Sequence, residues 1–175
     1  MSSIRFLKLS PTVLTALVAG DLDAAGAAAG HPLSAYLVEE NRLWQVRLDD
    51  IRRNPEAEDW IARAAIAEPG GIVVGHGGFH GPPDGDGVVE VAYSVDPAHR
   101  RRGHAKAMLA ALLRRADDDP RITAVRASIR PDNVGSRAVI AGFGFRKIGE
   151  QWDPEDGLED VWLRPARQKQ TGPPR

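Results

Sequence analysis

Three consecutive arginines stand in a short turn whose residue types suit the binding of phosphate. Arg100, Arg101 and Arg102 are followed by Gly103, and a strongly amphipathic segment begins at Ala105. The first backbone N–H groups of a helix lack partners inside the helix and carry partial positive charge, so a helix that starts here attracts anions. Guanidinium groups add charge-assisted donors, and glycine lets the backbone approach a ligand closely. The turn therefore predicts a binding site for a pyrophosphate group.

A strand and a helix must flank this turn if its N–H groups are to point at one ligand. Residues 88–95 form a strand-like run before the turn. The segment over 105–116 follows it, and its apolar residues recur at the spacing of one helix face. These apolar residues are Ala105, Met108, Leu109, Leu112, Leu113 and Ala116. The arrangement predicts a strand, a basic turn and a helix in direct succession.

Two common nucleotide-binding motifs are absent from the turn. A P-loop requires G-x-x-x-x-G-K-[ST], and the dinucleotide fingerprint requires G-x-G-x-x-G. The turn has neither, which disfavours a nucleotide-binding protein of those two classes. The pattern that the residues do form is R-x-x-G-x-A, from Arg100 to Ala105.

The remainder of the chain predicts an α+β fold with a mixed, mostly antiparallel sheet flanked by helices. A strand over 4–9 is followed by Ser10 and Pro11, which suit the start of a helix ending near residue 18. The segment 21–30 is ambiguous, and residues 44–52 are helical in pattern. The further predicted strands are 60–67, 72–79, 88–95, 122–129, 143–149 and 158–163, with a helix over 133–141. We expect one domain over residues 1–165 and a disordered tail over 166–175.

Composition excludes several classes of protein. The chain has 175 residues, a formal net charge of −1 and no cysteine. Near-neutral charge argues against general affinity for nucleic acid or membranes, and no apolar run approaches the roughly 18 residues of a membrane span. Without cysteine there are no disulfides, thiolate metal ligands or acyl-cysteine intermediates. Since the first ten residues lack the apolar core of a signal peptide, a cytoplasmic location is expected.

Three motifs in sequence order resemble the GNAT superfamily of N-acetyltransferases. The first, over 89–97, is similar to the E-I-G-Y-x-V-x-P strand of the branch that contains ribosomal-protein N-terminal acetyltransferases. The second is the turn from Arg100 to Ala105, which matches the acetyl-CoA pyrophosphate pattern Q/R-x-x-G-x-G/A. The third places Asn133 and Ser136 at the start of a helix, with Gly144 and Phe145 opening the next strand. The resemblance covers residues 72–163 well and residues 4–67 loosely.

The resemblance implies a GNAT-like fold, acetyl-CoA as co-substrate and an amine acceptor, either a small molecule or a protein N-terminus. It implies that the backbone of Tyr93, Ser94 and Val95 pairs with the pantetheine arm, and that Asn133 hydrogen-bonds this arm. Asn133 could also serve as a plain helix cap. The pyrophosphate would be held by the loop and helix start, namely Arg100, Arg101, Arg102, Gly103, His104, Ala105 and Lys106.

Glu90 is the expected proton acceptor for the attacking amine. A carboxylate near the thioester can take the ammonium proton directly or through one water. Glu90 could instead be an exposed strand carboxylate or the partner of an arginine. Many members of the family place a tyrosine in the helix before G-F to protonate the leaving thiolate, and Ile140 occupies that position here. Ser136 could donate a hydrogen bond instead, although a structural or cofactor-contact role suits it better.

Other residues leave alternatives open. His31 or His80 could replace Glu90 as the base, but His76 and His80 alone do not predict a metal site. The acidic segment 151–160 is expected to be a loop that either favours a cationic acceptor or is simply solvated. A non-catalytic acyl-CoA sensor on the same fold is the alternative function, and a homodimer is an open assembly.

Overall fold

The computed structural model describes residues 3–167 and shows alternating β and α elements along the chain. The strands are β1 (Ser3–Lys8), β2 (Arg63–Glu68), β3 (Ile72–Phe79), β4 (Val88–Val95), β5 (Ala124–Ile129), β6 (Arg146–Asp153) and β7 (Gly157–Pro165). The α-helices are α1 (Pro11–Val18), α2 (Leu22–Ala29), α3 (Ala35–Glu39), α4 (Asn41–Arg53), α5 (His104–Asp118) and α6 (Val134–Ile140). Short 3₁₀ turns occupy Pro55–Asp59 and Pro97–His99.

Local capping explains where the first helices begin and end. The Ser10 hydroxyl accepts a hydrogen bond from the amide of Val13 at 3.4 Å, and Pro11 opens α1 as predicted. Asp21 caps α2 in the same way, and Gly30 ends it in the left-handed conformation. These two caps resolve the ambiguous segment 21–30 as a helix.

The strands follow the order β1-β2-β3-β4-β5-β7-β6, with hydrogen-bonded neighbours adjacent in the list. The pairs β1/β2, β2/β3, β5/β7 and β6/β7 are antiparallel. Strand β4 pairs with β5 in parallel over Val88–Glu90. The sequence prediction of an α+β fold with a mixed, mostly antiparallel sheet is therefore confirmed.

The chain divides into two compact units. The first contains Met1–Pro82 and Ala92–Met108, so it holds β1, β2, β3 and the second half of β4. Helix α1 packs against α2 and α4 within it. One of its buried clusters joins three strands to the start of α5 and consists of Ile4, Ala65, Val74 and Met108.

The second unit contains Pro83–Val91 and Leu109–Arg175, of which the structure describes residues up to 167. Its buried side chains include Leu109, Leu112, Ile122 and Val125. The guanidinium of Arg164 pairs with both carboxylate oxygens of Asp117 at 2.9 Å.

Several boundaries differ from the sequence predictions. Strand β2 begins at Arg63 rather than residue 60, because Ala62 has a φ of 46° that interrupts extended backbone. Strand β6 begins at Arg146 rather than Phe143, because Gly144, with a φ of 80°, lies in a turn. Strand β7 extends to Pro165.

The limits of the predicted domain and tail stay predictions, since residues 168–175 of the predicted tail lie outside the described residues. In the part of the chain that the structure describes, no helix combines the length and apolarity that crossing a bilayer requires.

Candidate functional site

The basic turn forms as predicted between β4 and α5. The Asp96 carboxylate accepts a hydrogen bond from the amide of Ala98 at 2.9 Å and so caps the 3₁₀ turn. Helix α5 then begins at His104, one residue earlier than expected, and the Gly103 carbonyl accepts from Ala107 at 3.1 Å. By helix geometry, the first N–H groups of α5 have no partner within the helix. These donors can bind an anion.

Backbone conformation explains the glycine in this turn. Gly103 has a φ of 80°, and a Cβ added there would meet no atom within 4 Å. The position therefore requires glycine for its left-handed backbone and offers open space in front of it. Arg101 also adopts a positive φ, 61°. Such a backbone is uncommon for a side chain of this size and marks a turn held in one shape.

The charged side chains of the turn differ in burial. Arg101, Arg102 and Lys106 are exposed, whereas Arg100 donates from Nε to the carbonyl of Val95 at 3.2 Å. His104 is only 8% exposed. Burial lowers its pKa, and the nearby His99 and Arg102 lower it further, so its ring is neutral at pH 7.

The second half of β4 has two distinct faces. Tyr93 and Val95 pack against the buried cluster of Ile4, Ala65, Val74 and Met108. Ser94 faces the other way, and its hydroxyl lies 2.6 Å from the Tyr36 hydroxyl. Strand β3 lies close behind, since a Cβ on Gly75 would sit 2.1 Å from the Ser94 carbonyl oxygen. Packing thus fixes the segment that is expected to bind the pantetheine arm.

Glu90 belongs to the first half of β4 and has an arginine beside it. Its neighbours Val89 and Val91 are buried, whereas the Glu90 side chain is 25% exposed. Glu90 Oε2 lies 3.7 Å from Nε of Arg126, which stands opposite it on β5. Arg126 also donates to Oε1 of Gln151. The carboxylate is therefore oriented by a charged partner inside an apolar strand.

Asn133 and Ser136 meet at the start of α6. The Asn133 Oδ1 accepts from the Ser136 amide at 3.0 Å, which is the helix cap considered from the sequence. Both residues line a cavity of about 510 Å³. The other lining residues are Ser128, Ile129, Arg130, Asp132, Asp156 and Glu159.

Ile140 lies one helical turn beyond Ser136 and is 1% exposed. Its side chain fills the core of the second unit and has no hydroxyl to offer a leaving group. Ser136 and Asn133 are therefore the polar side chains that α6 and its cap present to the cavity.

The acidic segment 151–160 is mostly strand, which corrects the expectation of a loop. Strand β6 continues to Asp153 and β7 begins at Gly157, because the glycine φ of 80° permits a tight turn. Trp152 is 75% exposed, whereas Asp160 is buried and contacts Nζ of Lys147 at 2.7 Å. Only part of the acidic run is free to meet solvent or a ligand.

A cluster around His76 was not predicted. His76 lies on β3 and stacks on Tyr36, with ring centroids 5.9 Å apart. Its Nε2 lies 3.3 Å from Oε2 of Glu40, within ion-pair range but outside hydrogen-bond geometry. The available signal in the sequence was one polar residue within the apolar and glycine-rich strand over 72–79.

Comparison with known proteins agrees with this geometry. The profile of the acetyltransferase (GNAT) domain matches residues 14–146, which is more than half of the chain. A curated protein from Bacillus subtilis, the uncharacterized N-acetyltransferase YjdG, is 30% identical over 73 residues. That match spans 42% of this chain and 44% of the length of the relative.

Solved structures share the whole fold at low identity. An acetyltransferase of the GNAT family from Bacillus anthracis superposes with a TM-score of 0.62 at 16% identity, over 96% of this chain and 100% of that one. The ribosomal L7/L12 N-terminal acetyltransferase RimL, in complex with coenzyme A, gives 0.64 at 15% identity, over 95% and 96% of the two chains. Aminoglycoside acetyltransferase AAC(6')-Ib with coenzyme A gives 0.60 at 17%, over 94% and 95%. With its domain profile matched across most of its length, the chain belongs to the GNAT acetyltransferase family.

Proposed function

We propose that this enzyme transfers an acetyl group from acetyl-CoA directly to a primary amine. Its family assigns acetyl transfer, and acetyl-CoA is the co-substrate of that transfer. The observation that carries the proposal is the basic turn, in which Arg101 and Gly103 adopt left-handed backbone immediately before the N-terminus of α5. Direct transfer fits a chain with no cysteine to carry the acyl group.

The turn and the strand before it would hold the two parts of acetyl-CoA. The N–H groups from Gly103 to Lys106 would bind the pyrophosphate, with Arg100, Arg101 and Arg102 adding charge. The backbone of Tyr93, Ser94 and Val95 would pair with the pantetheine arm, as an added strand does. Asn133 would add a hydrogen bond from its side-chain amide, since only its Oδ1 is used in capping Ser136.

Glu90 is the proposed general base. The acceptor amine is protonated at neutral pH, with a pKa of about 10 for a lysine-like amine, so it must lose a proton as it attacks. Glu90 accepts this proton while the nitrogen forms a bond to the thioester carbon. A backbone N–H of the Tyr93–Val95 segment would stabilise the negative charge on the carbonyl oxygen. Arg126 keeps the carboxylate in place.

The carbon–sulfur bond then breaks and coenzyme A leaves as a thiolate. A thiol pKa of about 8.5 makes this leaving group tolerable at pH 7, so weak assistance is sufficient. Ser136 is the proposed hydrogen-bond donor to the sulfur, since Ile140 supplies no hydroxyl. The acceptor class includes small amines and protein N-termini.

The buried Ile140 also favours a second candidate, an acyl-CoA sensor without turnover. Thiol release from acetyl-CoA across simple amines, aminoglycosides and N-terminal peptides separates the two, with acetyl-CoA affinity measured in parallel. We expect turnover with at least one amine. Tight acetyl-CoA binding without turnover would support the sensor, and absence of binding would contradict both. The cytoplasmic location and the homodimer considered from the sequence stay predictions.

A further inference from the structure

His76 is a buried polar residue that the proposed acetyl transfer does not use. It is 8% exposed, and its ring lies against Tyr36 and edge-on to Trp44, with centroids 5.0 Å apart in the second pair. An apolar side chain would fill this place without the cost of taking an imidazole out of water. The polar contact of the ring therefore calls for an explanation.

That contact is with Glu40, at the junction of α3 and α4. Glu40 is the residue that precedes α4, yet its side chain makes no capping hydrogen bond. Instead Oε2 lies 3.3 Å from Nε2 of His76. The Glu40 side chain is 31% exposed and that of His76 is 10% exposed, so the pair joins a buried ring to a carboxylate that reaches solvent.

The carboxylate is held in its charged form. The neighbouring His76 lowers the pKa of Glu40, against the opposing effect of partial burial, and Tyr36 lowers it further. The N-terminal end of α4 also favours a negative charge at this position. A partly open carboxylate among aromatic rings has the chemistry that recognises an ammonium group.

The cluster lies next to the proposed cofactor segment, within the same compact unit. The Tyr36 hydroxyl is 2.6 Å from that of Ser94. Burial raises the pKa of Tyr36, and the positive charge of Arg100 in the basic turn opposes that rise. Tyr36 therefore links Glu40 and His76 to the strand that is proposed to hold the pantetheine arm.

We propose that Glu40 binds the ammonium form of the acceptor and that His76 is a positioning residue that orients Glu40. This inference rests on the proposed amine acceptor and names its recognition group. Only binding is involved at Glu40, and the ammonium proton passes to Glu90 as described above.

The test uses the full chain loaded with coenzyme A, and two probes of equal length. Calorimetry measures the binding of 1,6-diaminohexane, which is cationic, and 1,6-hexanediol, which is neutral. Glu40→Gln should weaken diamine binding about tenfold, the loss expected for one charge-assisted hydrogen bond, and leave acetyl-CoA affinity unchanged. Glu39→Gln, on the exposed neighbour, is the matched control and should have no effect.

Two results would overturn the inference. One is diamine binding by Glu40→Gln as tight as that of the unmodified protein, and the other is equal affinity of the unmodified protein for diamine and diol. His76→Gln adds a separate reading, since the Glu40 pKa followed by NMR should rise toward its ordinary value. An unchanged Glu40 pKa in that variant would reject the positioning role.

Turnover separates this inference from the proposed function. With an amine that is acetylated, Glu40→Gln should raise KM about tenfold and change kcat little, because ground-state binding is what is lost. An unchanged KM would reject the role of Glu40 while leaving the transferase intact. Glu40-dependent diamine binding without thiol release from any amine would reject the transferase alone.

Discussion

The two halves of strand β4 are proposed to serve the same reaction by different means. The second half, with the turn after it, offers backbone N–H groups and a left-handed glycine. The first half offers one side chain, Glu90, which is oriented by Arg126 on another strand. Backbone chemistry depends on residues that are contiguous in sequence. Side-chain chemistry depends on partners that only the fold brings together.

Replacing the turn glycine should have the largest effect on this comparison. Gly103→Glu forces a side chain into a φ of 80° and places a negative charge where the pyrophosphate is proposed to bind. We expect acetyl-CoA affinity to fall by about 100-fold or more, the sum of lost anion binding and added repulsion. Calorimetric titration with acetyl-CoA measures it.

Gly20→Glu provides the matched control for that variant. Gly20 has a φ of 77° and the same open space around it, but it follows α1 rather than the basic turn. It carries equal backbone strain without the proposed ligand, so acetyl-CoA affinity should be retained. Equal affinity loss in both variants would mean that strain alone, and not the anion site, explains the result at Gly103.

The first half of β4 should respond in turnover rather than in cofactor affinity. Glu90→Gln removes the proposed base, and general-base catalysis contributes about 100-fold or more. We therefore expect kcat to fall by about that factor at pH 7, with acetyl-CoA affinity nearly unchanged. Thiol-release kinetics at saturating acetyl-CoA give kcat directly.

A second strand carboxylate makes the control for Glu90. Glu68 on β2 pairs with Arg5 at 3.0 Å and is exposed to a similar degree. Glu68→Gln should leave kcat unchanged, because it removes only a surface ion pair. Full activity of Glu90→Gln at neutral pH would exclude Glu90 as the base and reduce it to the arginine partner considered from the sequence.

The same contrast explains what the sequence could reveal. The turn and strand β4 were predictable, since alternation over 88–95 and the run from Arg100 to Ala105 are local signals. Glu90 could be singled out as a charge in a valine-rich strand, but its partner Arg126 lies 36 residues further along the chain, and no local pattern connects them.

The cluster at His76 marks the limit of that approach. Tyr36 lies in the five-residue helix α3, which is too short to show a clear apolar period, and its partner Ser94 is 58 residues away. Boundaries failed for a related reason. The turn at Gly144 required its positive φ, which the adjacent apolar residues Phe143 and Phe145 concealed by favouring a strand.

Ile140 should have a smaller effect on catalysis than Glu90. The side chain is buried, so Ile140→Phe adds volume to a packed core and should destabilise the protein by about 1–3 kcal/mol. We expect kcat to change by less than about threefold below the unfolding temperature, because no catalytic group is removed. Complete loss of activity in a folded variant would show that this position shapes the reactive site.

The smallest expected effect concerns the pH dependence of stability at Glu40. Its folded pKa lies below the ordinary 4.5, so its contribution is present above that value and is lost as pH falls through the folded pKa. The side chain is 31% exposed, and solvent screening keeps this contribution below about 1 kcal/mol. Urea unfolding should show a constant difference between the unmodified protein and Glu40→Gln from pH 7 to 5, which shrinks below pH 4.5. A difference that grows toward acid would mean that Glu40 is protonated more easily in the folded state, and the carboxylate would then be a poor site for an ammonium group.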